Sequence, residues 1–564
     1  MAGTILTPTA IWSDFKIDSP VQARSIGVYK QGDVYVERMY LQGKSYSDGQ
    51  VQIYSVLARN VKQEKAPAIF ILQKFSDGAD EKLACELALK GYTAFVVDIS
   101  GEDGINYNHT TYPKSLSFLD YKNAEGSLFS VGQDVKKTCW YEWGCTARYA
   151  LEYLKNRDFV TNIGAIGIDD AATVLWHIAG TTKTLSCSAF ISNAGWGGYS
   201  GTYKFEQKVD KEFTDEELMF LAGIEPQTYA GHVTCPTFIA VPTNSGKYDF
   251  DRAHDTLSRI QSKSYKAIHY SVGRVDGVDS KGYENLLTFF KHYLPLDGNV
   301  EHGLPEGLDI KCEIVDGKFV VSLKPDNNEL KKLSVYACEE MVNPSLRQWQ
   351  KIANCTRMPD GSFDFEYSPY SNSKIAMFFG VAEYKNGFII GSDVVARRFN
   401  SEGVKLVRKS KLIYSSREKQ TADAFYPLAF SQNKPSCLSI KGDVHVVEKK
   451  GAMDIVGVTA QGGLLTFRLA SKKYKPTDDS MLMLDAYLKQ DGVLTVSLIT
   501  DYFGTKTEYS ANVKVKGGEI WHNVKLELKN FKTPEGMNLR SFEKIEALTV
   551  NADVEFLINN LLCV

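Results

Sequence analysis

The sequence lacks any apolar run approaching the ~20 residues that a membrane helix needs. It also lacks a basic N-terminal start followed by an apolar stretch, so we expect no secretory signal. Neither sign of charge dominates, because 65 Lys and Arg accompany 68 Asp and Glu, for a net charge of −3. Without a basic excess, neither nucleic acid nor a membrane surface is expected as a partner.

Motifs that hold metals or cofactors are also missing. No HExxH, CxxC or EF-hand pattern occurs, and no internal repeat of fixed period is present. The 10 cysteines are scattered, and even Cys139 and Cys145 stand too far apart for a metal knuckle. Reduced thiols in a cytoplasmic protein are therefore predicted, with no cofactor and no metal.

What is present is an ordinary globular composition, with 43% hydrophobic residues in a chain of 564. That length predicts three to four domains at ~150 residues each. The first half alternates strand-like apolar runs with amphipathic helix patterns, which indicates a mostly parallel sheet covered on both faces. The predicted strands are 68–72, 92–98, 163–168, 185–192, 237–241 and 267–272, after a hairpin within 20–60, and the predicted helices are 79–90, 140–155, 171–179 and 283–294.

The pattern becomes all strand after a turn-rich stretch near residue 295. Six or seven short strands between about 305 and 400 predict a fibronectin-like or immunoglobulin-like sandwich. Longer strands near 463–469, 481–488, 492–500 and 544–550 predict a jelly roll. The expected domains are 1–297, 303–402 and 404–564.

One turn in the first domain is typical of enzymes. The predicted strand 163–168 ends in Gly167-Ile168-Asp169-Asp170-Ala171, and a helix follows. This has the pattern of a nucleophile elbow, in which small residues flank a strained central residue because the turn is tight. The central position should hold Ser or Cys, but here it holds Asp169.

The first ~295 residues resemble an α/β-hydrolase of the acetyl-esterase and dienelactone-hydrolase-like branch. The segments that carry the resemblance are 137–143, 164–169, 193–196 and 229–236. The two β-domains resemble the accessory domains that often follow such esterases. The resemblance therefore implies an α/β-hydrolase fold followed by two all-β sandwiches.

The resemblance also implies a nucleophile, an acid, a histidine and two oxyanion-hole amides. Asp169 occupies the nucleophile position, Ser245 the acid position, and Asp276 approximately the histidine position. The loop 273–282 contains no histidine, and His269, in the strand before it, is expected to be packed in the core. The oxyanion positions fall on Lys74, Phe75 and Asp170, where a long cation replaces the usual small residue.

Two interpretations of Asp169 follow. Dehalogenases and epoxide hydrolases use an aspartate nucleophile at the elbow, but they need a histidine to activate water. Alternatively, Asp169 is structural, paired with Lys74 across the elbow and favoured by the helix N-terminus, while Asp170 caps the same helix. The joint loss of all four features favours a pseudo-hydrolase with a binding or structural role.

Two other functions remain open. The chain could be a working carboxylic-ester hydrolase or deacetylase that acts on acetylated sugars or small esters. It could instead bind glycans through aromatic residues of the jelly roll, either as a monomer or as an oligomer. The candidate stacking residues are Trp521, Tyr487 and Tyr502, with Phe503 and Tyr509.

Overall fold

A computed structural model describes residues 4–206, 211–245, 247–272, 278–297, 303–326, 329–370, 374–400, 402–407, 410–417, 424–428 and 446–564. Within these ranges no helix is both long and apolar enough to cross a membrane. The cysteines of the described ranges are unpaired, and all except Cys85 and Cys355 are buried.

The first part of the chain forms a nine-stranded sheet in the order β1-β2-β3-β5-β4-β6-β7-β8-β9. Strands β4 to β9 pair in parallel, and β1, β2 and β3 pair antiparallel, as does β3 with β5. The strands are β1 Ala23–Gln31, β2 Val34–Tyr46, β3 Gly49–Asn60, β4 Ala66–Leu72, β5 Thr93–Val97, β6 Val160–Ile168, β7 Cys187–Ile191, β8 Thr237–Pro242 and β9 Lys266–Ser271.

Helices cover both faces of this sheet. The central strand β4 is buried along its whole length, as expected of a parallel strand whose two faces are both covered. After the additional edge strand β1, the strand order and the helices between the strands are those of the α/β-hydrolase fold. The helices are α1 Pro8–Trp12, α2 Glu81–Leu89, α3 Tyr121–Ala124, α4 Cys139–Lys155, α5 Asp170–Thr181, α6 Asp215–Gly223, α7 Pro226–Ala230, α8 Phe250–Ser258 and α9 Ser280–Tyr293.

The next part of the chain is a sandwich of two antiparallel sheets. One sheet has the order β10-β11-β15-β14, and the other has the order β13-β12-β16-β17, with β18 paired to β16. The strands are β10 Asp309–Val315, β11 Lys318–Lys324, β12 Leu330–Glu339, β13 Gln350–Lys351, β14 Cys355–Arg357, β15 Phe363–Tyr367, β16 Ile375–Tyr384, β17 Ile389–Gly391 and β18 Val395–Arg398.

A second sandwich follows, with sheet orders β21-β22-β29-β24-β27 and β20-β23-β28-β25-β26, and with β19 paired to β29. The predicted fold class, an α/β-hydrolase fold with two all-β sandwiches behind it, is confirmed. The strands are β19 Leu412–Tyr414, β20 Tyr426–Pro427, β21 Val447–Lys450, β22 Val456–Thr459, β23 Leu464–Thr466, β24 Leu482–Leu488, β25 Gly492–Thr500, β26 Thr507–Val515, β27 His522–Leu526, β28 Ile545–Ala552 and β29 Phe556–Cys563.

The first sandwich and the hydrolase-like sheet share their hydrophobic core. Phe250 and Tyr270 of the α/β part contact Phe379 of the sandwich at ring-centroid distances of 5.4 and 5.3 Å. Tyr270 also donates a hydrogen bond of 2.7 Å to the carbonyl oxygen of Ser392. The expected boundary near residue 297 therefore divides the chain at a place where the packing is continuous.

Candidate functional site at the elbow

The elbow after β6 has the backbone of a nucleophile elbow. Asp169 adopts φ 57° and ψ −131°, an uncommon conformation for a residue with a side chain. Gly167 is required here, because a Cβ atom would lie 2.7 Å from the Cα of Ala172 and 2.8 Å from the Cβ of Leu175. Asn193 supports the turn by donating a 3.1 Å hydrogen bond to the carbonyl oxygen of Asp169. The small-residue pattern of the sequence thus predicted this turn correctly.

The carboxylate of Asp169 is engaged by side chains from the loop between β8 and α8. Lys247 Nζ lies 2.7 Å from Asp169 Oδ1 and 2.6 Å from Asp170 Oδ2. The Tyr248 hydroxyl donates a hydrogen bond to Asp169 Oδ1 and lies 3.0 Å from Asp170 Oδ1. Both carboxylates of the elbow are therefore held by one cation and one phenol.

Lys74 approaches Asp169 from the loop after β4, which lies on the other side of β6 from β8. Its Nζ lies 3.7 Å from Asp169 Oδ2, so the predicted contact between these two residues is confirmed. This distance exceeds that of a hydrogen bond, whereas Lys247 is within hydrogen-bond distance. We call Lys74, Asp169, Asp170, Lys247 and Tyr248 the elbow cluster. Its two ammonium groups balance its two carboxylates.

The expectation that Asp170 caps helix α5 is wrong. Asp169 occupies the N-cap position, and its side chain makes no capping hydrogen bond. Asp170 is the first helical residue, and its carboxylate contacts Lys247 and Tyr248. An ion pair with Lys247 and a hydrogen bond from Tyr248 therefore replace capping as the role of this carboxylate.

Burial and charge act against each other in the cluster. Burial raises the pKa of Asp170, which Lys247 opposes and the neighbouring Asp169 reinforces. Burial disfavours the ammonium form of Lys247, but the two carboxylates outweigh this effect and raise its pKa above the ordinary value. Opposite charges at short range favour the charged form of each partner, so the cation of Lys247 is retained.

The other predicted site residues have different surroundings. Ser245, at the acid position, is buried, and its Oγ accepts hydrogen bonds of 3.1 Å from the backbone N–H groups of Lys247 and Tyr248. Ser245 thus shapes the turn that presents the two residues to the elbow. Phe75, at the oxyanion position, is buried with its ring centroid 4.5 Å from that of Trp143. Asp276 lies outside the described residues.

His269 lies in β9 and is buried, as expected. Its Nε2 lies 3.3 Å from Asp279 Oδ1, and its Nδ1 lies 3.4 Å from Asn285 Nδ2. The start of α9 packs closely on this ring, because a Cβ on Gly282 would lie 3.0 Å from it. These contacts hold the imidazole within the packing between β9 and α9.

The described residues contain no group of three or more His, Cys, Asp or Glu side chains arranged to hold a metal ion. The elbow cluster itself offers two carboxylates, which already have cationic partners.

The structure separates the aromatic residues expected to bind glycans. Tyr487 and Trp521 lie together, with ring centroids 5.7 Å apart, beside the sheet that contains β24 and β27. Trp521 donates a hydrogen bond of 3.1 Å to the carbonyl oxygen of Ala452. Tyr502 follows β25 in the other sheet and packs on Phe467 with ring centroids 5.0 Å apart. Trp521 and Tyr487 are thus neighbours, and Tyr502 is not part of the same group.

Lys247 and Tyr248 are the site residues that the sequence analysis missed. They follow the strand after which the esterase resemblance places the catalytic acid, and this loop reaches the elbow in that fold. The sequence signal that could have identified them is a lysine and a tyrosine in the loop that this fold places next to the elbow, where Asp169 stands.

No family model matches the sequence, and no curated protein matches it. Among solved structures, the chain is similar to an acetyl xylan esterase from Paenibacillus sp. at 13% identity and a TM-score of 0.38, covering 51% of this chain and 92% of that protein. Acetyl xylan esterase 1 from Thermoanaerobacterium sp. gives 13% identity and a TM-score of 0.36, covering 51% and 95%. A dienelactone hydrolase-like promiscuous phosphotriesterase from metagenomic libraries gives 14% identity and a TM-score of 0.29, covering 43% and 84%.

Likenesses this distant do not transfer an activity to this chain. Its α/β-hydrolase fold is defined by its own strand order and by the strained turn at Asp169. Because one fold can carry many chemistries, any function has to be argued from the elbow cluster.

Proposed function

We propose that this chain is an α/β-hydrolase-fold protein that does not hydrolyse esters, and that it has a binding or structural role. The observation that carries the proposal is the engagement of Asp169 by Lys247 and Tyr248 at the position where a nucleophile would stand. The ion pairs occupy the place in which a substrate acyl group would meet the elbow.

The chemistry of ester hydrolysis supports this proposal. A carboxylate nucleophile must direct a free lone pair at the substrate, and a base must then activate water against the ester intermediate. Asp169 Oδ1 accepts hydrogen bonds from Lys247 and Tyr248, which withdraw electron density from that oxygen. The loop 273–282, where the resemblance places the base, has no histidine in its sequence.

A working ester hydrolase that uses Asp169 is the competing function. The strained turn at Asp169 is the observation that favours it, because this backbone geometry presents a nucleophile in active hydrolases. The two functions differ in whether Asp169 forms a covalent bond to an acyl group during turnover.

The deciding experiment compares the wild-type protein with Asp169→Asn, which keeps the shape of the side chain and removes its charge. We expect both proteins to release nitrophenol from nitrophenyl acetate at the same background rate. After prolonged incubation with the ester in H₂¹⁸O, we expect no ¹⁸O in the peptide that contains Asp169. Wild-type turnover that disappears in Asp169→Asn, or incorporation of ¹⁸O into Asp169, would contradict the proposal.

Glycan binding by the second sandwich is a further candidate, favoured by the partly exposed neighbours Tyr487 and Trp521. A glycan array probed with the full-length protein tests it, with Tyr487→Ala as the site variant and Tyr502→Ala as the control on the other sheet. Binding that is lost in Tyr487→Ala alone would support this function, and no binding by the wild type would count against it. A small ester or carbohydrate ligand and a cytoplasmic location stay predictions.

A further inference from the structure

The loop that closes the elbow is anchored at its start by the first sandwich. Asn244, the second residue after β8, is fully buried. Its side-chain amide donates hydrogen bonds of 3.2 Å to the carbonyl oxygen of Pro344 and 2.5 Å to that of Arg347. These acceptors belong to the turn between β12 and β13, a hundred residues further along the chain.

The same turn anchors the loop at its far end. The guanidinium of Arg347 pairs with the carboxylate of Asp251 in helix α8 through two bonds, of 2.5 and 2.7 Å. Both side chains are almost completely inaccessible, with 0% and 1% exposure. Arg347 is itself oriented by the carbonyl oxygens of Met341 and Val342, to which it donates bonds of 2.7 and 2.9 Å. A planar guanidinium with this many fixed partners holds α8 in one place.

Lys247 and Tyr248 lie between these two anchors. Anchors on both sides of Lys247 and Tyr248 leave these two residues few conformations, and their side chains are therefore presented in one arrangement. We propose that Asn244 and Arg347 are positioning residues that hold Lys247 and Tyr248 on the elbow, so that the first sandwich keeps the elbow closed. This inference rests on the proposed function, because it concerns the closure of the same site.

An apolar contact between the sandwich and the α/β part lies next to these hydrogen bonds. Phe250, the first residue of α8, contacts Trp349 with ring centroids 5.8 Å apart. The hydrogen bonds of Asn244 and Arg347 therefore lie beside an apolar contact between the same two segments. Buried polar groups lower the stability of the fold unless they are hydrogen-bonded. The need to keep these groups paired therefore fixes the placement of the two segments relative to each other.

The reactivity of the Lys247 amine reports the closure without depending on any enzymatic activity. The full-length protein is labelled with trace isotopic acetic anhydride at one mildly alkaline pH, and labelling at each lysine is quantified by peptide mass spectrometry. The test variants are Asn244→Ala and the paired exchange Arg347→Gln with Asp251→Asn. The matched control is Asn285→Ala, which removes a different pair of buried hydrogen bonds to the sandwich, those between Asn285 and Ile389, and leaves the bonds of Asn244 and Arg347 in place.

We expect Lys247 to react faster in both test variants, by about tenfold for each unit by which its pKa falls toward the ordinary value. In Asn285→Ala, Lys247 should react at the wild-type rate. Lys44, whose Nζ pairs with Glu142 at 3.0 Å, serves as an internal reporter that the α/β part remains folded.

An unchanged Lys247 rate in Asn244→Ala would overturn the inference. So would an equal increase in Asn285→Ala, or an increase at Lys44 that accompanies the increase at Lys247. If the Arg347 and Asp251 exchange does not fold, Asn244→Ala decides alone. Wild-type ester hydrolysis together with the expected labelling would remove the proposed function and leave the anchoring in place.

Discussion

Removing Lys247, the closest cation to the elbow carboxylates, should lower the free energy of unfolding more than removing an equally exposed surface cation does. Lys247→Met leaves the carboxylates of Asp169 and Asp170 with Lys74 as the remaining ammonium, 3.7 Å from Asp169. The carboxyl side chains are 9% and 12% exposed, and the Lys247 side chain is 44% exposed. Breaking a buried pair costs about 3–5 kcal/mol and breaking a surface pair under about 1 kcal/mol, so the half-exposed lysine places the expected loss near 2–3 kcal/mol.

The loss of unfolding free energy in Lys247→Met should depend on pH. Burial already raises the pKa of Asp170, and the loss of the opposing Lys247 charge raises it further. A carboxyl group whose folded-state pKa lies above its unfolded-state pKa stabilises the fold below the unfolded value, and this contribution is lost as pH rises through the folded value. The loss of unfolding free energy in Lys247→Met should therefore be larger near pH 8 than near pH 5.

The assay is denaturant unfolding of wild type, Lys247→Met, Asp170→Asn and the double variant at both pH values. Asp170→Asn in the Lys247→Met background should recover much of the loss, because it removes the unpaired charge. The control is Lys122→Met, since Lys122 is 42% exposed and its partner Glu102, at 2.6 Å, is 44% exposed. Additivity of the two elbow substitutions within about 0.5 kcal/mol would refute the reasoning, as would equal losses in the variant and the control.

Three further outcomes are expected. Asp169→Ser should show no esterase activity on nitrophenyl acetate, because a serine without a base remains a poor nucleophile at neutral pH; robust turnover would reveal an unidentified base. Burial raises the pKa of Glu225 to about 7. Relative to Glu225→Gln, the wild type should therefore lose about 3 kcal/mol of unfolding free energy as pH rises from about 4.5 through 7, a difference that parallel pH profiles would contradict. A fragment of residues 1–402 should give a cooperative unfolding transition by circular dichroism, and a fragment of residues 1–297 should not; cooperative unfolding of the shorter fragment would show that the shared core is dispensable.

The elbow could be predicted from the sequence because its determinants are local. Gly167 is needed where a Cβ would meet α5, and this requirement shows as a glycine two residues before Asp169. The strands of the first sheet could also be predicted from local sequence. The strand β4, for example, is buried throughout, so its sequence is a continuous apolar run.

Local patterns failed where a distant partner decides the conformation. The strand predicted over 463–469 ends early, because β23 covers Leu464–Thr466 and a single helical turn follows at Arg468–Ala470. Arg468 turns away there to donate a hydrogen bond to the carbonyl oxygen of Ile413. Helix α8 was also missed, although Asp249 before it accepts a hydrogen bond from the backbone N–H of Arg252 as an N-cap.

The roles of Lys247 and Tyr248 could not be read from the sequence for the same physical reason. Their carboxylate partners lie almost 80 residues earlier in the chain, and the loop that carries them is held by Arg347, almost 100 residues later. Charge type and spacing do not specify such contacts. The resemblance to esterases predicts that this loop lies next to the elbow. Which of its side chains contact the elbow depends on the packing of the sandwich against α8.

The retained strain at Asp169 has a physical explanation without catalysis. A non-glycine residue in a sparsely populated backbone conformation costs about 1–3 kcal/mol and persists only when its surroundings determine it. Asp169 is determined by the tight approach of Gly167 to α5 and by the hydrogen bond from Asn193, both of which belong to the fold. The carboxylate adds contacts to Lys247 and Tyr248 that offset part of the cost. The scaffold thus imposes the turn whichever residue stands there, and a carboxylate that pairs with Lys74 and Lys247 is better suited to it than a hydroxyl without a base.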